Sequence, residues 1–170
     1  MVRGRKDRFM NDITTLGVKL GYAVETVAGT KPTAFTWLER CKSIGGVDLT
    51  TEQIDVSALE DLISKYRSGR QDTGGTWDVV FGMGDDVIAQ LKAAMEASAA
   101  AKKKGLSTWF EVWFPDLSSA NSGFYVIAEF GSGIPFSEIA QNSAAEISMS
   151  MTLNNYKGPD TGIEPTASGG

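Results

Sequence analysis

Apolar and polar positions alternate most cleanly at residues 145–153, where Ala145, Ile147, Met149, Met151 and Leu153 interleave with Glu146, Ser148, Ser150 and Thr152. A period of two sends one set into a core and the other into water, so the segment predicts a half-buried strand. The same period runs through Leu16, Val18, Leu20, Tyr22 and Val24, through Trp77, Val79 and Phe81, and through Phe124, Val126, Ala128 and Phe130. Residues 107–114, STWFEVWF, break the rule by being aromatic on both sides, with Phe110, Val112 and Phe114 opposite Trp109 and Trp113. Such a strand is expected to be buried twice, once in the core and once by a helix or another subunit. Residues 35–43, ending at Gly45-Gly46, predict one further strand, and the turn-rich run 115–123 predicts a hairpin between two of the others.

One stretch has helical period instead. In residues 85–104 the apolar positions Val87, Ile88, Leu91 and Met95 fall three and four apart on a narrow stripe, and residues 97–101 add propensity but little grip. Asp85 and Asp86 supply an acidic N-cap, Lys102, Lys103 and Lys104 load the negative end, and Gly105 suits the left-handed position that follows a helix. A single amphipathic helix has no core of its own and must lie against a sheet.

Residues 47–75 carry mixed signals. We expect a strand at 53–56, a short helical turn at 57–63 from the spacing of Leu59, Leu62 and Ile63, and a long exposed loop at 64–75 made basic by Lys65, Arg67 and Arg70. Loops of that length usually move or bind. Residues 1–12 read as a polar, basic arm and 158–170 as a tail of Pro, Gly, Ser and Thr without periodicity, with a single domain over 1–170.

Composition narrows the chemistry more than the fold. The chain has no histidine and one cysteine, so neither a Ser-His-Asp or Cys-His arrangement nor a His-ligated metal nor an intrachain disulfide can be built within it. No apolar run approaches the roughly 20 residues of a membrane-spanning helix, and the N-terminus has no apolar signal core, so the chain is expected to work without its own export signal. The net charge of −5 is unevenly placed: residues 1–70 carry eleven Lys and Arg against nine Asp and Glu, and 71–170 carry five against twelve. Random surface variation accounts for this, and so does a head-to-tail assembly in which unlike ends meet.

Local candidates for chemistry each have a plainer reading. Gly82-Met83-Gly84-Asp85 sits between strand and helix like a phosphate-cradling turn, but no motif completes it and two aspartates repel phosphate. The same aspartates lack further oxygen ligands at loop spacing for a divalent cation. Cys41 next to Lys42 reads as a small hydrophobe before a nucleophile. Arg3, Arg5, Lys6 and Arg8 suit a solvated end or a docking arm better than a nucleic-acid arm, given an acidic remainder. The expectation is therefore a β-rich protein with one packed helix, no enzymatic activity, no cofactor and no metal.

Three segments carry a resemblance: Ser43-Ile44-Gly45-Gly46, the acidic stretch IDVSALED at 54–61, and KYRSGRQDTGG at 65–75, followed by a strand, a capped helix and a meander to Tyr156. Over about residues 13–157 this resembles the tail tube (major tail) proteins of long-tailed, siphovirus-type bacteriophages. The family's "IPG" before its aspartate-glycine turn is replaced here by Ser68-Gly69-Arg70.

The resemblance implies a mainly β fold, a β-sandwich or partial barrel with one flanking helix. It implies six copies per ring and rings stacked into a hollow tube in the virion tail, assembled in the host cytoplasm around a tape measure protein. Tail terminator and tail tip proteins would be further partners, and DNA would pass through transiently at ejection, with no membrane insertion of the subunit. On this reading Lys65, Arg67, Arg70 and Asp72 bridge rings, and Glu146, Ser148, Ser150 and Thr152 face the lumen, with ordinary exposed sheet as the rival for the latter. Two alternatives stand beside it: a monomeric β-sandwich that binds a ligand with residues 47–75, and the inner tube of a contractile tail.

Overall fold

The computed structural model describes residues 12–165. Ten elements follow one another: β1 (Lys19–Val24), β2 (Thr36–Leu38), β3 (Cys41–Ile44), β4 (Thr50–Asp55), β5 (Tyr66–Asp72), β6 (Thr76–Gly82), α1 (Asp85–Lys103), β7 (Thr108–Trp113), β8 (Gly123–Glu129) and β9 (Glu146–Asp160). Seven strands form one sheet in the order β2-β1-β7-β8-β9-β6-β3, and every pairing in it is antiparallel. Strands β4 and β5 stand apart as a two-stranded ribbon.

The sheet is curled rather than flat. Its two edge strands, β2 and β3, are separated in sequence by Glu39 and Arg40 alone, so the edges must approach one another. Trp77 of β6 meets Phe110 of β7 edge to face at 5.4 Å between ring centroids, although β8 and β9 lie between those strands in the sheet. The architecture is thus mainly β, an open partial barrel with a flanking helix, and it does not close into a barrel. Where the sequence predicts one strand at 35–43, the chain breaks at the corner because Arg40 has φ 56. Left-handed backbone at a non-glycine residue leaves no signature in the hydrophobic pattern.

Inside the curl, Leu20, Phe110, Val126, Met149, Met151, Val79 and Phe81 form the core, and α1 adds Val87 and Leu91 to it. Ala94 and Ala101 are buried as well, so the alanine-rich end of the helix grips more than its composition implies. The cap differs in detail from the expectation: Gly84 is the N-cap with no side-chain cap bond, and Asp85 and Asp86 fill the first turn instead. At the other end Gly105 takes φ 73, its N–H donates to Lys102 O at 3.0 Å, and Leu106 N–H donates to Ala101 O at 2.9 Å. That is the pattern by which a glycine satisfies the last helical carbonyls. Gln90 then ties α1 to the β2–β3 corner, its Nε2 donating to Glu39 O at 3.1 Å while its Oε1 accepts from Glu39 N at 3.2 Å.

The doubly aromatic strand β7 is buried on both faces as its pattern requires, and within the single chain its second side is covered by other segments of the chain rather than by the helix. Trp109, Tyr125 and Ile127 form a separate outer cluster with Phe35 packed on it, and Gly21 is bare because a Cβ there would lie 3.0 Å from Trp37 Cε3. The chain's own end helps to cover this face. Expected as a tail from residue 158, it continues β9 to Asp160, pairs Lys157 with Tyr125 and Asp160 with Gly123, and then lies over Glu111 and Tyr125. Residues 1–11 and 166–170, hence most of the expected basic arm and the last part of the tail, fall outside the described residues.

Candidate functional site

The loop expected at 64–75 is β5, and with β4 it makes a twisted ribbon with a register shift between Thr51 and Gln53. Both strands are exposed except at Gly69, which removes the one-sided alternation that reveals a strand in sequence. Its tip is a turn held by polar bonds, not helical. Val56 N donates to Lys65 O at 2.9 Å, Lys65 N to Ser57 Oγ at 2.7 Å and Ala58 N to Asp61 Oδ2 at 2.7 Å. Lys65 Nζ pairs with Asp61 Oδ1 at 2.5 Å, and this partner, with the Ala58 N–H, holds the Asp61 carboxyl below its ordinary range.

The apolar side chains of that tip point the other way. Leu59 is 108 % exposed, Leu62 102 % and Ile63 79 %, with Ile54, Val56 and Tyr66 about half exposed along the ribbon. These apolar residues are what the sequence reading missed: their spacing at 59, 62 and 63 suggested a helical turn, and the true signal was that they have no sheet or helix to lie on. Of the four ribbon residues expected to act, Lys65 is committed to Asp61, and Asp72 Oδ1 accepts from Gly74 N at 2.9 Å. Arg67 and Arg70 are exposed on β5; because Ser68 pairs with Gln53 but Gln71 with Thr51, the irregularity between them puts Arg70 opposite Glu52, on the face that Arg67 shares with Ile54.

Glu146, Ser148, Ser150 and Thr152 do share one face of β9, beside Val80, Asp78 and Thr76 of β6. They are not equivalent. Glu146 takes a 3.1 Å ion pair from Lys42 of β3, and the Ser148 hydroxyl is bonded to that of Ser137, so the 131–145 connection crosses this end of the face. Ser150 and Thr152 remain open to solvent. The same connection exposes Phe136 and Ile139, at 69 % and 75 %, a second pair of apolar side chains without a place in the core.

At one mouth of the open barrel lies a cavity of 560 Å³ lined by Val18, Cys41, Ile44, Val112, Phe124 and Tyr156 among others. Burial pushes the Cys41 thiol up to about 11, so it sits there as an uncharged hydrophobe. Among the described residues no group of three or more Cys, Asp or Glu is placed to hold a metal ion, and no helix is long and apolar enough to cross a membrane. Asp86 faces Arg40 at 4.0 Å rather than any phosphate-like site.

No protein-family model matches the chain, and no curated protein matches it. Solved structures do. A chain from the tail of an empty gene transfer agent particle with C6 symmetry aligns over 84 % of this chain and 95 % of its own length, with 13 % identity and a TM-score of 0.50. A chain of the native gene transfer agent virion has the same coverage and identity at a TM-score of 0.49, and one from the six-fold symmetrised baseplate of the anti-feeding prophage has 7 % identity over 86 % and 94 %, with a TM-score of 0.48. At such identities the likeness is one of fold: the protein shares the fold of the gene transfer agent tail chain.

Proposed function

We propose that this protein is a structural subunit of a phage tail tube, of the major tail type, in which rings of six copies stack into a hollow conduit. The observation that carries the reading is the ribbon of residues 50–72, which holds Leu59, Leu62 and Ile63 out in water. A lone two-stranded ribbon is marginally stable at best, and leaving three large aliphatic side chains exposed forgoes roughly 1.5–3 kcal/mol for each. Both costs are offset if a neighbouring copy covers the ribbon. A standard protein interface takes roughly 20–30 residues from each side, and this ribbon alone offers a segment of that size. The shared fold with a gene transfer agent tail chain supports the same reading.

On this proposal the ribbon bridges rings, with Arg67 and Arg70 available for charge pairing on one of its faces and Lys65 and Asp72 ordering its tip and base. The open face of β9, with Ser150 and Thr152 at its centre and the Lys42–Glu146 pair at its edge, lines the lumen. Neutral hydroxyls and balanced charge hold a polyanion weakly, which suits transient passage of DNA. The tube would form around a tape measure protein, meet terminator and tip proteins at its ends, and reside in the virion tail after assembly in the host cytoplasm. Negative-stain microscopy of the purified full-length chain tests the reading: rings or tubes of constant diameter are expected at high concentration. Particles that stay monomeric under all such conditions would contradict it.

A further inference from the structure

The outer face of β7 and β8 is roofed by two pieces of chain, the β1–β2 connection with Lys31 and Phe35, and residues 161–165 beyond β9. Under this roof Glu111 is 0 % exposed. Its Oε1 accepts from Ile163 N at 2.7 Å and lies 3.3 Å from Tyr125 Oη, while Oε2 has no donor among the described residues. Tyr125 has a single proton to give, and its shorter contact, 2.7 Å, is to Thr161 O. The phenol therefore cannot serve the carboxylate and the terminal segment at once.

We propose that Glu111 is a pH-operated latch on residues 161–165. With its carboxyl protonated, Glu111 donates to Tyr125 Oη, Tyr125 donates to Thr161 O, and the relay holds the segment down. When the carboxyl is ionised, both of its oxygens call for donors, the phenol proton is drawn from Thr161 toward the charge, and only release of the segment lets water reach Oε2.

The surrounding charges do not supply what Oε2 lacks. From the β1–β2 connection, Lys31 Nζ lies 4.2 Å from the Tyr125 ring centroid but is bonded to Thr161 O at 3.1 Å and paired with Asp160 Oδ2 at 3.5 Å. Lys157 of β9 sits over Trp109, 5.2 Å from its ring, where Glu25 is already the indole's acceptor. On β1 the residue opposite Glu111 is Gly21, with Lys19 two positions away opposite Trp113. Glu164, in the segment itself, adds only like charge. Burial accordingly pushes the Glu111 carboxyl up to about 7, against the pull of the Ile163 N–H, the Tyr125 hydroxyl and Lys31.

A carboxyl that ionises near 4.5 when uncovered and near 7 when covered ties closure to protonation. Between those values the closed-to-open ratio falls about tenfold per pH unit, and it levels off above them. Hydrogen–deuterium exchange of the full-length chain, corrected for the intrinsic pH dependence, reads this at Gly162 and Ile163. Protection is expected to drop by one to two orders of magnitude from pH 5 to pH 7.5 and to stay flat beyond. Glu111→Gln, which keeps the shape and a donor toward Tyr125 but cannot ionise, should be equally protected at both pH values. A carboxyl resonance of the wild type titrating in step with that loss gives the same answer without a variant. Wild-type protection that does not change with pH, a pH dependence that Glu111→Gln retains, or a carboxyl that titrates without loss of protection overturns the proposal.

Discussion

Trp109 donates its indole N–H to Glu25 Oε1 at 2.7 Å, joining two residues 84 positions apart. The other carboxylate oxygen accepts from Ser107 N at 3.1 Å and Gly29 N at 3.2 Å, so one side chain ties the end of β1, the following turn and the start of β7 together. Burial alone would raise the Glu25 carboxyl, but these three donors and the Lys157 charge more than offset it and leave it lowered.

Glu25→Ala strands three donors and is expected to cost about 3 kcal/mol in urea unfolding, since bonds to a charged acceptor are worth more than neutral ones. The sign with pH follows from the lowered value. Stability from Glu25 is complete above its ordinary value of 4.5 and is lost as pH falls through the folded value. Unfolding at pH 5 and pH 3 should therefore differ more for the wild type than for Glu25→Gln.

Glu111 runs the opposite way on the same face of the sheet. Its folded value is raised to about 7, so its contribution is fully present below 4.5 and lost as pH rises toward 7. At pH 8 Glu111→Gln is expected to be more stable than the wild type by up to about 3 kcal/mol, and at pH 4.5 nearly equal to it. Together the two carboxyls place the pH of greatest stability no higher than about 4.5, which a urea midpoint series across pH 3 to 8 checks.

Gly45 tests how tightly the second sheet edge is built. Its N–H donates to Asp78 O at 2.6 Å, and its carbonyl accepts from Trp77 Nε1 at 2.8 Å. A Cβ at Gly45 would sit 2.6 Å from Asp78 O, whereas one at Gly46 meets nothing within 4 Å. Gly45→Ala should lower stability by about 1–3 kcal/mol and Gly46→Ala by much less, as thermal unfolding of the pair will reveal.

Much of this was legible in the chain because one buried face imposes a period. The alternation at 145–153, the Trp77-Val79-Phe81 set and the Val87-Leu91 stripe each stand out for that reason, and all of their apolar members but Ala145, which is exposed just before β9, are in the core. The ribbon was hidden because no face of it is buried, so Thr50 to Asp55 and Tyr66 to Asp72 carry no alternation to read. The clasp around Glu25, and the extension of β9 over Glu111, depend on bonds between distant residues that no local window contains. One trace of the latter was visible: Glu111 is a lone charge amid the aromatics of 107–114, and a charge there must find a partner or give up its ionisation.

The assignment of the open face of β9 to a lumen predicts an effect on DNA that leaves the fold alone. Ser150 and Thr152 are exposed, so Ser150→Arg with Thr152→Arg should change the unfolding midpoint little. Tubes of that variant should retain DNA in co-sedimentation at low salt and release it as salt rises, while wild-type tubes retain none. Equal retention by both would put this face outside the conduit.

The ribbon tip tests the central claim most directly. Leu59, Leu62 and Ile63 make no contribution to the core of the single chain, being almost fully exposed. Replacing all three by serine is expected to leave the thermal midpoint of the subunit within about 5 °C, since each exposed substitution rarely exceeds ±0.5 kcal/mol. In sedimentation velocity at matched concentration, the wild type should run as large assemblies and the serine variant as unstacked rings or single subunits. A serine variant that assembles as the wild type does would contradict the account.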